Sequence, residues 1–268
     1  MDVRGTGVVH ADPRLAAVYQ AGNGIPAESL RGWAELIAGY APAGATAVLE
    51  VGAGTGVFCA ALARALPAVQ VVGVDPAAPM LEQAERLHAH PRVRYLPARA
   101  EALPLPAEGF DLALLSRVVH HLSDRPAAAR ELVRVLRPGG RLVIRTTFRE
   151  RLDAPVYDYW PRLRETDAAR FPSEGEVLDD FTAAGLAVHR ICSHRAPVAS
   201  GLGEFRDRLA LRAESKFDAL SPAEFAAGLD RLTAAARAQR PPRPVEERYD
   251  LVVLERPARR GGRPPLGR

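Results

Sequence analysis

The sequence has few residues that could cross-link the fold through disulfides or bind a metal ion. Its 268 residues include two cysteines, Cys59 and Cys192, which are far apart and have no second Cys or His at metal-ligand spacing. This count excludes a disulfide framework and a cysteine-based zinc site. We expect both cysteines to be small core-filling residues, and we expect no metal site, because no His/Asp/Glu cluster has ligand spacing either.

Long apolar runs and targeting signals are also lacking. No apolar segment approaches the ~20 residues that a membrane helix needs. The first residues, MDVRGTGVVHADPR, do not combine a basic start with an apolar core. We therefore expect no membrane partner, no signal peptide and a cytoplasmic location.

Lysine is almost absent, since Lys216 is the sole lysine and 35 of the 36 basic residues are arginine. Residues 255–268 contain five arginines and one glutamate, which account for the whole net charge of +4. A nucleic-acid-binding protein carries its positive charge on the folded face that docks. We therefore predict no nucleic-acid partner, and we interpret residues 257–268 as a basic, disordered Gly/Pro-rich tail.

The chain has an alternation of strand-like and helix-like segments, which favours a parallel sheet with covering helices. Predicted strands occupy 45–51, 69–75, 93–98, 109–116 and 141–148. Predicted helices occupy 57–66, 79–90 and 125–136, and the RPGG segment at 137–140 is predicted to be a turn.

The pattern loosens after residue 148. Ser173, Glu176 and Gly185 predict a capped helix over 173–185. Two late strands follow at 186–192 and 248–256, separated by an insertion at 193–247. The insertion contains a predicted helix at 221–239, so we expect a helical cap over the edge of the sheet. Residues 1–44 are interpreted as an N-terminal helical segment that could add to the cap.

The segment VLEVGAGTG, residues 48–56, joins a buried strand to a helix. Glycine lets a turn adopt positive φ and lets a ligand lie against the backbone. The helix behind the turn offers unpaired N–H groups and a positive dipole end. The dinucleotide fingerprint needs G-x-G-x-x-G, but Val57 stands where its third glycine should be. Asp75 ends the next strand, where a carboxylate can accept both hydroxyls of a ribose.

At these residues the sequence resembles the class I S-adenosylmethionine-dependent methyltransferases, in particular the small-molecule and ubiquinone/menaquinone-biosynthesis enzymes. VLEVGAGTG and VVGVDPAAPML resemble the first two motifs of that family. ARAEALPLPAEGFDLALLSRVVHHL and LRPGGRLVI resemble the later ones. The resemblance implies an α/β, Rossmann-like seven-stranded sheet, mostly parallel with an antiparallel last strand, with helices on both faces and a helical cap insertion. The methyltransferase domain would span 45–256.

The resemblance also implies S-adenosyl-L-methionine as cofactor and a role for particular residues. Glu50 would bind the methionine amino group, and Asp75 would bind the ribose hydroxyls. The glycines would let the amino-acid part of the cofactor lie on the backbone. The implied cofactor-binding residues are Tyr19, Glu50, Gly52, Ala53, Gly54, Gly56, Asp75, Pro76, Ala100, Glu101 and Ser116.

Two features of the implied site need separate comment: the residue at the adenine position departs from the family pattern, and the role of a histidine pair has two interpretations. Arg99 stands where the family often has an acid that accepts from adenine, and arginine cannot accept a hydrogen bond. Either the Ala100 backbone and Glu101 take over that role or Arg99 points outward. His120 and His121 are the candidate catalytic residues, as a general base, although either could instead support the loop.

The acceptor is expected to be a small molecule methylated on O, N or C. Its pocket would be formed by the N-terminal segment, the cap and the aromatic stretch at 157–160, which could instead simply pack within the cap. Two alternatives remain. One is an NAD(P)-dependent reductase, against which Val57 and the missing Tyr-x-x-x-Lys pair both weigh. The other is a non-catalytic cofactor-binding protein.

Overall fold

The computed structural model describes residues 19–258, and its central feature is one sheet in the order β3-β2-β1-β4-β5-β7-β6. The strands are β1 Ala47–Val51, β2 Gln70–Asp75, β3 Val93–Pro97, β4 Phe110–Ser116, β5 Leu136–Thr146, β6 Ala187–Ala199 and β7 Val245–Glu255. Strands β1 to β5 pair in parallel, whereas β7 runs antiparallel to both β5 and β6. The seven-stranded, mostly parallel sheet predicted from the sequence is therefore confirmed.

Helices cover both faces of the sheet and form the cap. They are α1 Ala27–Ala38, α2 Val57–Ala65, α3 Ala78–His88, α4 Arg125–Val135, α5 Arg162–Arg170, α6 Glu174–Ala183, α7 Leu202–Ala210 and α8 Pro222–Ala238. Residues 19–23 are also helical. No helix in the described range is long and apolar enough to cross a membrane.

Alternate residues of each central strand belong to two different cores, as the two-residue repeat of a β-strand requires. On one face, Leu49 and Leu115 pack with α4 and α6. On the other face, Val48 and Leu114 pack with α1 and α2. Because both faces are covered, the central strands are nearly continuous apolar runs, and a polar residue inside them stands out.

The helix starts agree with the sequence analysis. Ser173 and Glu176 form a reciprocal capping box at the start of α6, and Ser221 and Glu224 do the same for α8. Each box satisfies two backbone N–H groups that would otherwise lack a partner. Gly185 follows α6 with φ of 108°, the left-handed conformation that commonly ends a helix.

The predicted turn at 137–140 is wrong. Strand β5 already begins at Leu136, which pairs with Phe110, and the register shifts before Leu112 pairs with Arg141. Gly139, at φ of 80°, absorbs the irregularity as part of a bulge. A bulge and a turn can both require a glycine with positive φ, so the RPGG pattern alone does not distinguish the two structures.

The predicted end of the first late strand is also wrong. Strand β6 continues from residue 192 to Ala199 and stays paired with β7 as far as Val245, so the insertion is 200–244 rather than 193–247. The extension was missed because β6 is an exposed edge strand that has no apolar alternation to reveal it. Of the other two terminal predictions, the N-terminal segment is described only from Tyr19, and the basic tail only at 257–258; the remainder of each lies outside the described residues.

The cap has its own apolar core around Trp160. The Trp160 side chain is 2% exposed, and its Nε1 donates to the Phe225 carbonyl at 3.1 Å. Phe217 and Phe225 pack on its ring, with centroids 5.4 and 5.7 Å away. In the aromatic stretch, Trp160 therefore packs within the cap, whereas Tyr157 lines a cavity described below.

Gly228 in α8 tests this packing. A Cβ built on Gly228 would lie 2.1 Å from Trp160 Nε1, so Gly228→Ala should destabilise the protein by about 1–3 kcal/mol through overpacking. Gly32, in the middle of α1, has open space within 4 Å of the point where a methyl group would sit. Gly32→Ala should therefore be neutral or stabilise by up to ~1 kcal/mol. Urea unfolding of both variants measures the difference; equal stabilities would contradict tight packing at Trp160.

Candidate functional site

The carboxyl ends of β1, β2 and β4 meet at one edge of the sheet, where they surround a cavity of about 590 Å³. We call this cavity the crevice. Ligands of open α/β sheets bind at this kind of edge, and the volume suits a small organic ligand or cofactor. It is lined by all the predicted site residues except Gly56: Tyr19, Glu50, Gly52, Ala53, Gly54, Asp75, Pro76, Ala100, Glu101, Ser116, His120 and His121.

The turn after β1 is shaped by its glycines. Gly52 has φ of 76°, and a Cβ there would lie 2.3 Å from Val118 Cγ2. Gly56 also has positive φ, at 78°, but a Cβ on it would meet the Tyr95 hydroxyl group rather than the crevice. Gly52 thus lets the turn lie against Val118 in the loop after β4, whereas Gly56 lets the start of α2 lie against Tyr95 of β3.

The Asp75 carboxylate braces this turn. Its Oδ2 accepts from the Gly54 N–H at 2.9 Å, and its Oδ1 accepts from the Ala77 N–H at 2.9 Å. Burial raises the pKa of Asp75, while these two hydrogen bonds oppose the shift. Each oxygen keeps a lone pair for a ligand, so the side chain can hold the loop and bind a diol together.

Glu50 is a buried acid, 2% exposed, inside an apolar strand. The Cys59 thiol of α2 donates to its Oε2 at 2.9 Å, and no cation within the described range forms an ion pair with it. Burial raises the pKa of Glu50 to about 8. A carboxyl kept this way is poised to ionise when a cationic group arrives. The sequence analysis treated Cys59 as filler and missed its hydrogen bond to Glu50.

The far end of the crevice is closed by residues after β3 and in the N-terminal helical segment. Ala100 lines the wall, while the Glu101 carboxylate accepts from Ser123 Oγ at 2.7 Å and Ser123 N–H at 3.1 Å. Arg99 lies 3.6 Å from Glu101 with its side chain 48% exposed. Glu101 therefore holds the loop before α4. Tyr19, which also lines the crevice, packs on Ala77 and Met80.

His120 and His121 occupy a short 3₁₀ turn after β4 and differ in their surroundings. The two rings lie at 42° to one another with centroids 4.1 Å apart, and the centroid of the Phe171 ring lies 4.3 Å from that of His120. His120 Nδ1 is buried without a hydrogen-bond partner among residues 19–258. Burial, together with the charges of nearby Arg170 and Arg117, holds the pKa of His120 well below its ordinary value. Its imidazole is therefore neutral at pH 7.

Sequence reasoning overlooked Arg145, near the end of β5. This side chain lines the crevice, is 2% exposed, and donates from Nη1 to Ser116 Oγ at 3.2 Å. The sequence did contain a signal for it, because Arg145 directly follows the apolar run Leu-Val-Ile at 142–144, at the carboxyl end of a parallel strand. Among the described residues, no group of three His, Cys, Asp or Glu side chains is arranged to hold a metal ion.

Comparisons with known proteins agree with this geometry. Residues 49–144 match the family described as "Methyltransferase domain". The ubiquinone/menaquinone biosynthesis C-methyltransferase of Syntrophotalea carbinolica is 41% identical over 104 residues, 38% of this chain and 44% of that protein. The demethylmenaquinone methyltransferase of Roseiflexus castenholzii is 34% identical over 149 residues, 55% of this chain and 63% of that protein.

The fold extends the similarity beyond the matched segment. The crystal structure of a putative methyltransferase from an antibiotic biosynthesis pathway of Anabaena variabilis superposes with a TM-score of 0.69 at 22% identity, covering 83% of this chain and 96% of that one. The chain spans roughly half the length of the two curated relatives named above, 44% and 63%. Residues 49–144 are therefore similar to a methyltransferase domain, and the described chain shares the fold of that solved structure.

Proposed function

We propose that this protein is an S-adenosyl-L-methionine-dependent methyltransferase acting on a small molecule in the cytoplasm. The observation that carries the proposal is the crevice, in which two carboxyl groups flank a glycine turn. Glu50 is buried and forms no ion pair among residues 19–258, and Asp75 keeps lone pairs that a ligand can use. A nicotinamide cofactor is disfavoured by Val57 in the fingerprint.

The residues fit the cofactor at each of its polar parts. Asp75 would hold the ribose hydroxyls, and Glu50 would hold the ammonium group, with Gly52, Ala53 and Gly54 lying against the amino-acid portion. Ala100, Pro76 and Glu101 would border the adenine, and Tyr19 would cover it. S-adenosylmethionine supplies a sulfonium-bound methyl group, which a nucleophile displaces in line.

Positioning is the protein's main contribution to such a reaction. Holding the acceptor in line beside Ser116 could lower the barrier by about 7–11 kcal/mol. We propose His120 as the general base for an acceptor that must lose a proton, because it lines the crevice and its Nδ1 has no hydrogen-bond partner among residues 19–258. His121 would support it by ring contact.

Calorimetry with S-adenosylmethionine and S-adenosylhomocysteine tests the proposal directly. Binding of both is expected, and no binding at millimolar concentration would end it. Transfer of label from a methyl-³H donor to a small-molecule extract then separates an enzyme from a protein that only binds the cofactor.

Removal of the Asp75 carboxylate should weaken the cofactor site. Asp75→Ala is expected to lower S-adenosylhomocysteine affinity by about 1–3 kcal/mol, since the ribose hydroxyls and the Gly54 and Ala77 N–H groups lose their partner. Calorimetry measures the change against Asp179→Ala, an exposed carboxylate of α6. Unchanged affinity in Asp75→Ala would remove this residue from the binding site.

Glu50 should make both stability and binding depend on pH. Its folded-state pKa of about 8 lies above the unfolded value, so its contribution to stability is lost as pH rises from about 4.5 to 8. Glu50→Gln should therefore stabilise the ligand-free protein by about 2–4 kcal/mol at pH 8.5 and much less at pH 5. Thermal unfolding at both pH values measures this, with exposed Glu28→Gln as control.

Cofactor binding at pH 6.5–7 should also release a proton in the wild type, because an ammonium group favours the ionised Glu50 carboxylate. Calorimetry in buffers of different ionisation enthalpy reports this release. Glu50→Gln should abolish it, and equal proton release in both proteins would assign the effect to another group.

Substitution of His120 should separate chemistry from binding. His120→Ala is expected to lower label transfer about 100-fold, within the range for a lost general base, while S-adenosylhomocysteine affinity changes less than about threefold. His189→Ala, on the edge strand β6, is the matched control. If His120→Ala transfers label at the wild-type rate, His120 only supports the loop.

A further inference from the structure

A second cavity, of about 130 Å³, adjoins the crevice beneath the cap. We call it the inner chamber. It shares four side chains with the crevice that matter here: Arg117, His120, Arg145 and Arg170. A ligand in the inner chamber would therefore lie beside one in the crevice, which is the arrangement that a two-substrate transfer needs.

Arg145 is a buried cation that forms no ion pair with a carboxylate among residues 19–258. Its Nε is buried with no hydrogen-bond partner in the described range, and no carboxylate there lies within 4.0 Å of it. Its guanidinium lies 3.7 Å from the centroid of the Tyr249 ring and 4.5 Å from that of Trp33. Aromatic faces offset part of the cost of burying a cation, but a buried N–H group without an acceptor still costs free energy.

Two further arginines reach the same chamber. Arg117 has φ of 59°, a conformation that arginine rarely adopts, and it pairs with Glu214 at 3.2 Å. Arg170 donates to Ser215 Oγ at 3.2 Å and contacts the ring of His121 at 3.1 Å. Burial lowers the pKa of Arg145 and of Arg170, and the positive field of Arg117 adds to both shifts. The positive charges of these three arginines therefore all act on the inner chamber.

The carboxylates around the inner chamber are already engaged. Glu214 binds Lys216 at 2.9 Å as well as Arg117. Asp167 accepts from the Tyr157 hydroxyl at 2.8 Å. Glu247 accepts from the Tyr249 hydroxyl, and Asp153 accepts from Arg195. None of the four forms an ion pair with Arg145, although the charge of Glu247 opposes the lowering of the Arg145 pKa. The lining has six cations against four carboxylates: Arg117, Arg145, Arg170, Arg208, Lys216 and Arg248 against Asp153, Asp167, Glu214 and Glu247.

The inner chamber is also small and partly aromatic. An engineered cavity of ~150 Å³ accommodates benzene, so 130 Å³ suits a molecule built around one ring. Trp33, Tyr157, Phe171 and Tyr249 contribute aromatic surface to its wall. Large prenylated compounds would not fit inside it.

We propose that the inner chamber takes a ring-sized organic acid as the methyl acceptor and holds its carboxylate with Arg145, flanked by Arg117 and Arg170. This rests on the proposed methyltransferase function and names its substrate class. Arginine suits the role because its planar fork matches a carboxylate. The carboxylate is the recognition handle, and a second group on the ring near His120 is the atom that could be methylated.

Benzoate and benzamide test the proposal, because they match in size and differ in charge. With the full-length protein saturated with S-adenosylhomocysteine, calorimetry should give benzoate an affinity about 10- to 100-fold higher than that of benzamide, as expected for a charged hydrogen bond. Equal affinities, or no benzoate binding up to about 10 mM, would overturn the proposal. Failure of S-adenosylhomocysteine itself to bind would instead contradict the proposed function.

Arg145→Met keeps the length and packing of the side chain while removing its charge. We expect benzoate affinity to fall about 10- to 100-fold, with benzamide and S-adenosylhomocysteine affinities changed less than about threefold. Arg162→Met, an exposed arginine of α5, should change none of the three. If Arg145→Met does not fold, Arg170→Met should show the same selective loss of benzoate.

A different outcome would assign Arg145 to the carboxylate of the cofactor. In that case Arg145→Met would weaken S-adenosylhomocysteine but not 5′-methylthioadenosine, which lacks the amino-acid part, and benzoate binding would be unchanged. That result would overturn the proposal and leave the methyltransferase function intact.

Discussion

The site depends on the buried Asp75 carboxylate, which ties two crossovers of the sheet together. One oxygen accepts from Gly54 in the turn after β1, and the other accepts from Ala77 in the turn after β2. Neighbouring parallel strands leave these turns at the same edge, so one side chain can reach both. The glycine turn is thus held open over the crevice before any ligand arrives, which reduces the ordering that binding would otherwise require.

Near Asp75, the protein buries two ionisable side chains that form no ion pair within residues 19–258. Glu50 accepts a hydrogen bond from the Cys59 thiol, and Arg145 packs on aromatic rings. Such groups cost stability unless a partner of opposite charge is present. Glu50 of β1 gives the crevice a carboxyl group that ionises when a cation binds, whereas Arg145 of β5 gives the inner chamber a cation. This polarity suits a cationic cofactor and an anionic acceptor that meet between them.

The cap helps to determine the size of the inner chamber, which is the proposed acceptor site. Trp160 joins the stretch after β5 to α8 through its contact with Phe225 and its tight packing on Gly228. Tyr157 and Asp167 from the same region then face the inner chamber, joined by a hydrogen bond of 2.8 Å. The apolar packing of the cap thus fixes the position of the wall that Tyr157 and Asp167 contribute to the inner chamber.

The sequence by itself determined the order of the elements and most of the crevice. Apolar runs that end in a polar residue predicted the strands, and Glu50, Asp75 and Ser116 fall at or near strand ends where a parallel sheet must bring them together. Tertiary structure decided the bulge at Gly139, the length of the exposed strand β6, and the roles of Cys59 and Arg145. Their partners are remote in sequence: Arg145 packs between Trp33 and Tyr249, which come from opposite ends of the chain. A local sequence pattern reflects secondary-structure propensity. The free-energy cost of a buried charge depends instead on neighbouring residues that are brought together only when the chain folds.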